Sequence, residues 1–179
     1  MNYHEIKTDD ELNGDGLRVV LWISGCTLGC KNCFNPQTWD FNSGKPFTKE
    51  VLQELLDIMD KPYIDGLTIS GGNPLELRNI VDVNIITSAV RTRFGNTKTI
   101  WVYTGYTWDE VMRFTDPTNF PILSIDYKIV LNAIDVLVDG RYVDELNDVK
   151  YPYAGSTNQR VIDVQQSLKA GIPILFKER

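Results

Sequence analysis

Cysteine and histidine are scarce in this chain of 179 residues, which holds three Cys and one His. All three thiols, Cys26, Cys30 and Cys33, fall in the single stretch "GCTLGCKNCFNP" (25–36). Their odd number and their confinement to one loop exclude a disulfide framework. Clustered basic residues are also lacking. The formal net charge is −6, and binding to nucleic acid through phosphates needs a basic face that this composition does not supply. No run approaches the roughly 18 apolar residues of a membrane span. The first residues, "MNYHEIKTDDELNGDG", are polar and acidic rather than basic-then-apolar, unlike a signal peptide. The expected setting is the cytoplasm, away from membranes, where thiols stay reduced. Internal repeats and low-complexity linkers are absent as well, so one domain over 1–179 is expected, in keeping with its size.

What the chain does hold is a repeated unit. "LRVVLWIS" (17–24), "GLTIS" (66–70), "TIWVYT" (99–104) and "DVLV" (135–138) are short apolar, β-branched runs bounded by Gly or Asp. They read as strands covered on both faces. Helical spacing lies between them. Val51, Leu52, Leu55, Leu56 and Met59 follow Thr48, a suitable N-cap. Ile80, Val81, Val83, Ile86, Ala89 and Val90 mark a second helix, and Thr107 with Glu110 forms a capping box that opens "WDEVMRF". Residues 120–134 fit helix or strand, and "YPYAGSTNQRVIDVQ" reads as loop plus a late strand. Strand–loop–helix repetition predicts an α/β fold with parallel strands. A full eight-unit barrel needs about 250 residues, so the expectation is an incomplete, TIM-like barrel. The loops after its strands would meet at one edge, where ligands bind.

Three thiolates at Cys-x3-Cys-x2-Cys spacing suit a metal. Structural zinc needs four ligands, and the spacing of His4, the only histidine, does not support it as the fourth. Electron-transfer clusters also use four cysteines. A four-iron, four-sulfur cluster held by three would leave one iron for a small molecule, as catalytic metal sites keep a position open. Gly25 and Gly29 suit a loop curled tightly around such a group.

At the end of a first strand this spacing resembles the signature of the radical S-adenosylmethionine (radical SAM) enzymes. "NGDGLRVVLWISGCTLGCKNCFNPQTWDFNSGKPFT", "LTISGGNPL", "WVYTGYTWDE", "DVLVDGRYV" and "GSTNQRVIDVQ" are similar, in this order, to motifs of the anaerobic ribonucleotide reductase activating proteins. The resemblance implies a radical SAM domain in which Cys26, Cys30 and Cys33 ligate a 4Fe-4S cluster whose fourth iron binds S-adenosylmethionine. One electron then gives methionine and a 5′-deoxyadenosyl radical, which takes a hydrogen atom from a glycine of the large reductase subunit. It also implies a flavodoxin or ferredoxin-type electron donor, and no catalytic residue beyond the cluster ligands. Asn32 and Phe34 flank Cys33 and are expected at the adenine. Gly71, Gly72 and Asn73 resemble the loop that holds the methionine amino group, with an uncharged amide oxygen as acceptor at Asn73. Asp139, in "DGR", resembles a ribose contact, although Arg141 stands where related activases carry Lys. Tyr106, Trp108 and 155–160 receive no role. The alternatives left open are an activase of another glycyl-radical enzyme and a non-catalytic iron-sulfur or zinc protein.

Overall fold

The structure, a computed structural model, describes residues 1–177. The four expected strands form its parallel centre: β2 (Arg18–Ile23), β4 (Gly66–Gly71), β5 (Thr99–Tyr103) and β6 (Val136–Asp139) pair side by side in that order. Antiparallel strands flank them. On one side lie β1 (Asn2–Asp10) and β3 (Lys45–Pro46), on the other β7 (Arg160–Asp163) and β8 (Ile174–Leu175). The result is a mixed α/β fold around one eight-stranded sheet.

The helices start where side-chain chemistry places them. Thr48 accepts from Val51 N to open α1 (Lys49–Met59). Thr107 and Glu110 form the expected capping box of α3 (Trp108–Phe114). Helix α2 (Ile80–Phe94) fills the second crossover. The ambiguous segment is helical as α4 (Ser124–Ala133), since Tyr127, Val130 and Leu131 turn one stripe inward. A last helix, α5 (Val164–Ala170), is capped by Asp163.

The pleat sorts the sheet into two unlike faces. Leu21, Ile23, Ile69, Val102 and Leu137 pack in one core with Leu55, Val83, Ile86, Val111 and Val130 of the helices. Burying each such side chain contributes roughly 1.5–3 kcal/mol. The opposite face carries Arg18, Trp22, Thr68, Ser70, Trp101 and Tyr103. There Trp101, Val136 and Val138 form a second small core with Tyr153, Val161 and Phe176. Loops and Phe176 cover this face, so a cavity can open on it.

Candidate functional site

The loops that follow the parallel strands are tied to one another through their backbones. Gly25 N–H donates to Thr38 O at 2.7 Å and Cys26 N–H to Trp39 O at 3.0 Å. Asn73 N–H donates to Gly25 O at 2.8 Å, and Asn79 Nδ2 reaches Ser24 O and Asn73 O at 3.0 and 3.1 Å. This closeness demands glycine at two places. Gly25 has φ +101°, and a Cβ there would lie 2.2 Å from the Phe41 ring. A Cβ on Gly72 would lie 2.6 Å from Gly25 O, a backbone atom with little room to yield.

Beneath these loops lies a cavity of about 610 Å³, walled by Cys26, Cys30, Cys33, Phe34 and the turn Gly71–Asn73. Its size suits a small-molecule ligand. The three thiols are half-buried and unpaired. Burial pushes the Cys26 thiol up, Glu76 and the two neighbouring sulfurs push it further, and the Leu28 amide opposes them. Asn35 N–H donates to Cys33 Sγ at 3.4 Å. Among the described residues no three His, Cys, Asp or Glu side chains stand close enough to hold a single metal ion. The only imidazole is at Ser43, with His4 Nε2 2.9 Å from its Oγ.

Asn73 is 1% exposed. Its Oδ1 accepts from Thr104 Oγ1 at 2.7 Å and from Leu75 N–H at 3.2 Å. Because a backbone N–H can only donate, that atom is the oxygen and the other is the amide nitrogen. Asn73 Nδ2 is the one buried side-chain polar atom without a partner among the described residues. The sequence suggested an oxygen acceptor here; in the structure that oxygen is engaged within the protein and the amide nitrogen is the unpartnered atom.

Two of the expected contacts are not brought to the cavity wall. Asn32, at φ +54°, is exposed and donates to Asp144 Oδ2 at 2.6 Å. Asp139 lies one residue beyond Val138, so the pleat turns its carboxylate toward the helices. There it accepts from Trp108 N–H at 2.6 Å and pairs with Arg160. Phe34 is 61% exposed, its ring 4.8 Å from that of Tyr142.

The sequence also left several contributors without roles. Trp22, Trp39, Tyr103 and Tyr153 give the cavity an aromatic lining. Gln159 of "GSTNQR" accepts from the amides of Gly155 and Ser156 and donates to Gly140 O. Asn158 donates to Arg141 O at 2.8 Å. "DGR" and "GSTNQR" are thus two halves of one interlocked unit, a pairing that their separation in sequence hides. Glu76, three residues beyond Asn73, is buried against Thr27; the only sequence signal is its place in "GGNPLE". A larger cavity of about 700 Å³ opens at the opposite sheet edge. It holds no thiol, and three of its acidic groups serve the fold: Asp135 pairs with Arg91, Asp65 accepts from Leu17 N–H and Asp163 caps α5.

Comparison with known proteins agrees with this geometry. The 4Fe-4S single cluster domain family matches residues 12–162. The anaerobic ribonucleoside-triphosphate reductase-activating protein of Escherichia coli (strain K12) is 37% identical over 163 residues, covering 90% of this chain and 97% of that protein. The protein of the same name from Enterobacteria phage T4 is 36% identical over 161 residues, covering 90% and 93%. That of Vibrio cholerae is 35% identical over 161 residues, covering 89% and 96%.

Proposed function

The chain belongs to the 4Fe-4S single cluster domain family and to the anaerobic ribonucleoside-triphosphate reductase-activating proteins, and on that premise we propose that it is the radical SAM enzyme that places a glycyl radical on such a reductase. In this reading residues 1–179 act as one radical SAM domain in the cytoplasm. The sheet, whose parallel strands follow one another in chain order, is then an open, partial barrel. One observation carries the reading: three unpaired thiols and an unpartnered buried amide wall the same cavity, at the carboxyl edge of the parallel strands.

The residues fit the group that the family implies. Cys26, Cys30 and Cys33 would hold a 4Fe-4S cluster, and the chain has no fourth cysteine, which leaves one iron for S-adenosylmethionine. When bound, the cluster supplies the electron that splits the sulfonium, giving methionine and the 5′-deoxyadenosyl radical that takes hydrogen from the reductase's glycine. The protein's share is to bind, orient and exclude. Asn73 Nδ2 donates to an acceptor atom of the methionyl part, and the bare backbone of Gly71 and Gly72 lets the ligand approach closely. Trp22, Tyr103 and Tyr153 line the cavity and narrow the space around the ligand, which helps to hold it in one orientation. Phe34, on Tyr142, offers a ring to the adenine at the cavity mouth. Asn32 acts through Asp144, holding the cysteine loop from outside. Asp139 acts through Arg160 and the start of α3, serving the ribose indirectly. A flavodoxin or ferredoxin-type protein is the expected electron source.

The test is anaerobic reconstitution with iron and sulfide, reduction, and addition of S-adenosylmethionine. 5′-Deoxyadenosine is the expected product; a well-loaded protein that makes none rejects the proposal. C30A should lose both iron and cleavage, and retained activity would remove Cys30 from the ligand set.

A further inference from the structure

Glu76 has no part in the roles given above, yet its surroundings are specific. It sits on the turn between β4 and α2, 5% exposed. Its Oε1 accepts twice from one residue, from Thr27 N–H at 2.9 Å and from Thr27 Oγ1 at 2.6 Å. The Tyr106 hydroxyl interacts with both Glu76 and Thr27. Amide and hydroxyls alike offer hydrogens, which the carboxylate oxygens accept. Among the described residues no ion pair involves Glu76. A buried anion without a cation is costly, and a leucine would fill the same space without that cost. The carboxylate is therefore out of place as packing. Its one strong attachment is to Thr27, the residue after Cys26 in the loop that runs to Cys30.

Resting on the cluster reading of Cys26, Cys30 and Cys33, we propose that Glu76 is a positioning residue for the redox group. Its carboxylate clamps the first turn of the cysteine loop through Thr27, and its fixed charge lowers the reduction potential of the cluster held there. The physics is direct: adding an electron beside an existing negative charge is disfavoured, and more so in the interior, where screening is weak. Local charge and solvent exposure are among the levers by which proteins set iron–sulfur potentials. A cluster that is harder to reduce is a stronger donor once reduced, which is what splitting a sulfonium carbon–sulfur bond demands.

The experiment uses the full chain, reconstituted anaerobically and titrated with dithionite, which delivers one electron per cluster, while the paramagnetic signal of the reduced form is followed. E76Q keeps the shape and an oxygen that accepts from Thr27 N–H but removes the charge. The expected result is wild-type iron and sulfide content with the reduction equilibrium shifted about tenfold toward the reduced form, about 59 mV less negative. Full loading with an unchanged midpoint overturns the proposal. T27V keeps the carboxylate and removes the hydroxyl that pins it; a smaller shift in the same direction is expected. Should E76Q fail to hold iron, T27V decides: a raised midpoint supports the clamp and an unchanged one overturns it. A wild-type chain that holds no cluster fails earlier, at the reading of the cysteines, and takes this inference down with it.

Discussion

A single amide at the cavity wall fixes what kind of atom a ligand must present. With Asn73 Oδ1 engaged by Thr104 and Leu75, Nδ2 is the atom left without a partner, so in the proposed function the ligand brings an acceptor. A hydrogen bond of this kind contributes about 0.5–1.5 kcal/mol net. N73A is therefore expected to weaken S-adenosylmethionine binding by about tenfold, near the upper end of that range, while iron content stays at the wild-type level. Equilibrium binding to the reconstituted protein measures this, and an unchanged affinity removes Asn73 from the ligand's surroundings. The position of Asn73 was legible from "SGGNP" after a strand; its orientation was not, because Thr104 lies 31 residues away. The same limit applies to Asp139. The resemblance of "DGR" to a ribose-contacting element suggested a sugar contact, but strand register alone decides which side of the sheet a residue faces, and here Arg160, 21 residues on, receives the carboxylate.

Elements carried by a clear apolar period are legible in the sequence, and those held by the backbone are not. β2, β4, β5 and β6 announce themselves as short apolar runs, and the Thr107–Glu110 pair marks the start of α3. β1 is exposed or half-exposed along its length up to the buried Asp10, so its residues give no alternation to read; pairing with β2 and β3 makes it a strand. The segment from Gly140 to Arg160 is the clearest case. It has little regular structure and is organised by side chains reaching backbone atoms, chiefly those of Gln159. It also clasps the cysteine loop from outside, through Lys31–Glu145, Asn32–Asp144 and Phe34–Tyr142. The exposed ion pair contributes little, so the clasp depends on Gln159 holding the segment in shape. Q159A leaves the amides of Gly155 and Ser156 without their acceptor, at about 1–3 kcal/mol for each group so orphaned. Limited proteolysis should then cut within 142–158 at least tenfold faster than in wild type. Equal cleavage rates would mean that the segment is held by something else.

On the scale of the whole molecule, the sheet keeps its two faces for different purposes, and the less apolar one must be closed at the end away from the cavity. Arg18 does this. In "LRVVLW" it is the one charged residue of a buried run, and sequence alone gave no reason for it. The register supplies one: Arg18 lies beside Gly66, whose missing side chain leaves space for the guanidinium, since a Cβ there would lie 2.9 Å from Arg18 Nη2. From that space Arg18 donates to Thr68 Oγ1, Asp15 O, Thr99 Oγ1, Leu67 O and Thr99 O, with its guanidinium carbon 5.3 Å from the centre of the Trp101 ring. None of these acceptors is a carboxylate. Burial accordingly pushes the guanidinium down to about 10, a penalty of about 3 kcal/mol at 1.36 kcal/mol per pKa unit. Against that stand five bonds from a charged donor, each contributing about 1.5 kcal/mol or more. The bonds win, and strands β2, β4 and β5 are tied together at their amino ends. R18M removes the charge penalty and all five bonds together, and it leaves the buried Thr68 Oγ1 and Leu67 O without that donor. The expected loss is on the order of 3 kcal/mol, read as a lower midpoint in urea unfolding of the cluster-free protein. A midpoint equal to wild type would show that burying the charge costs as much as its bonds return, and Arg18 would then be no clamp for the sheet.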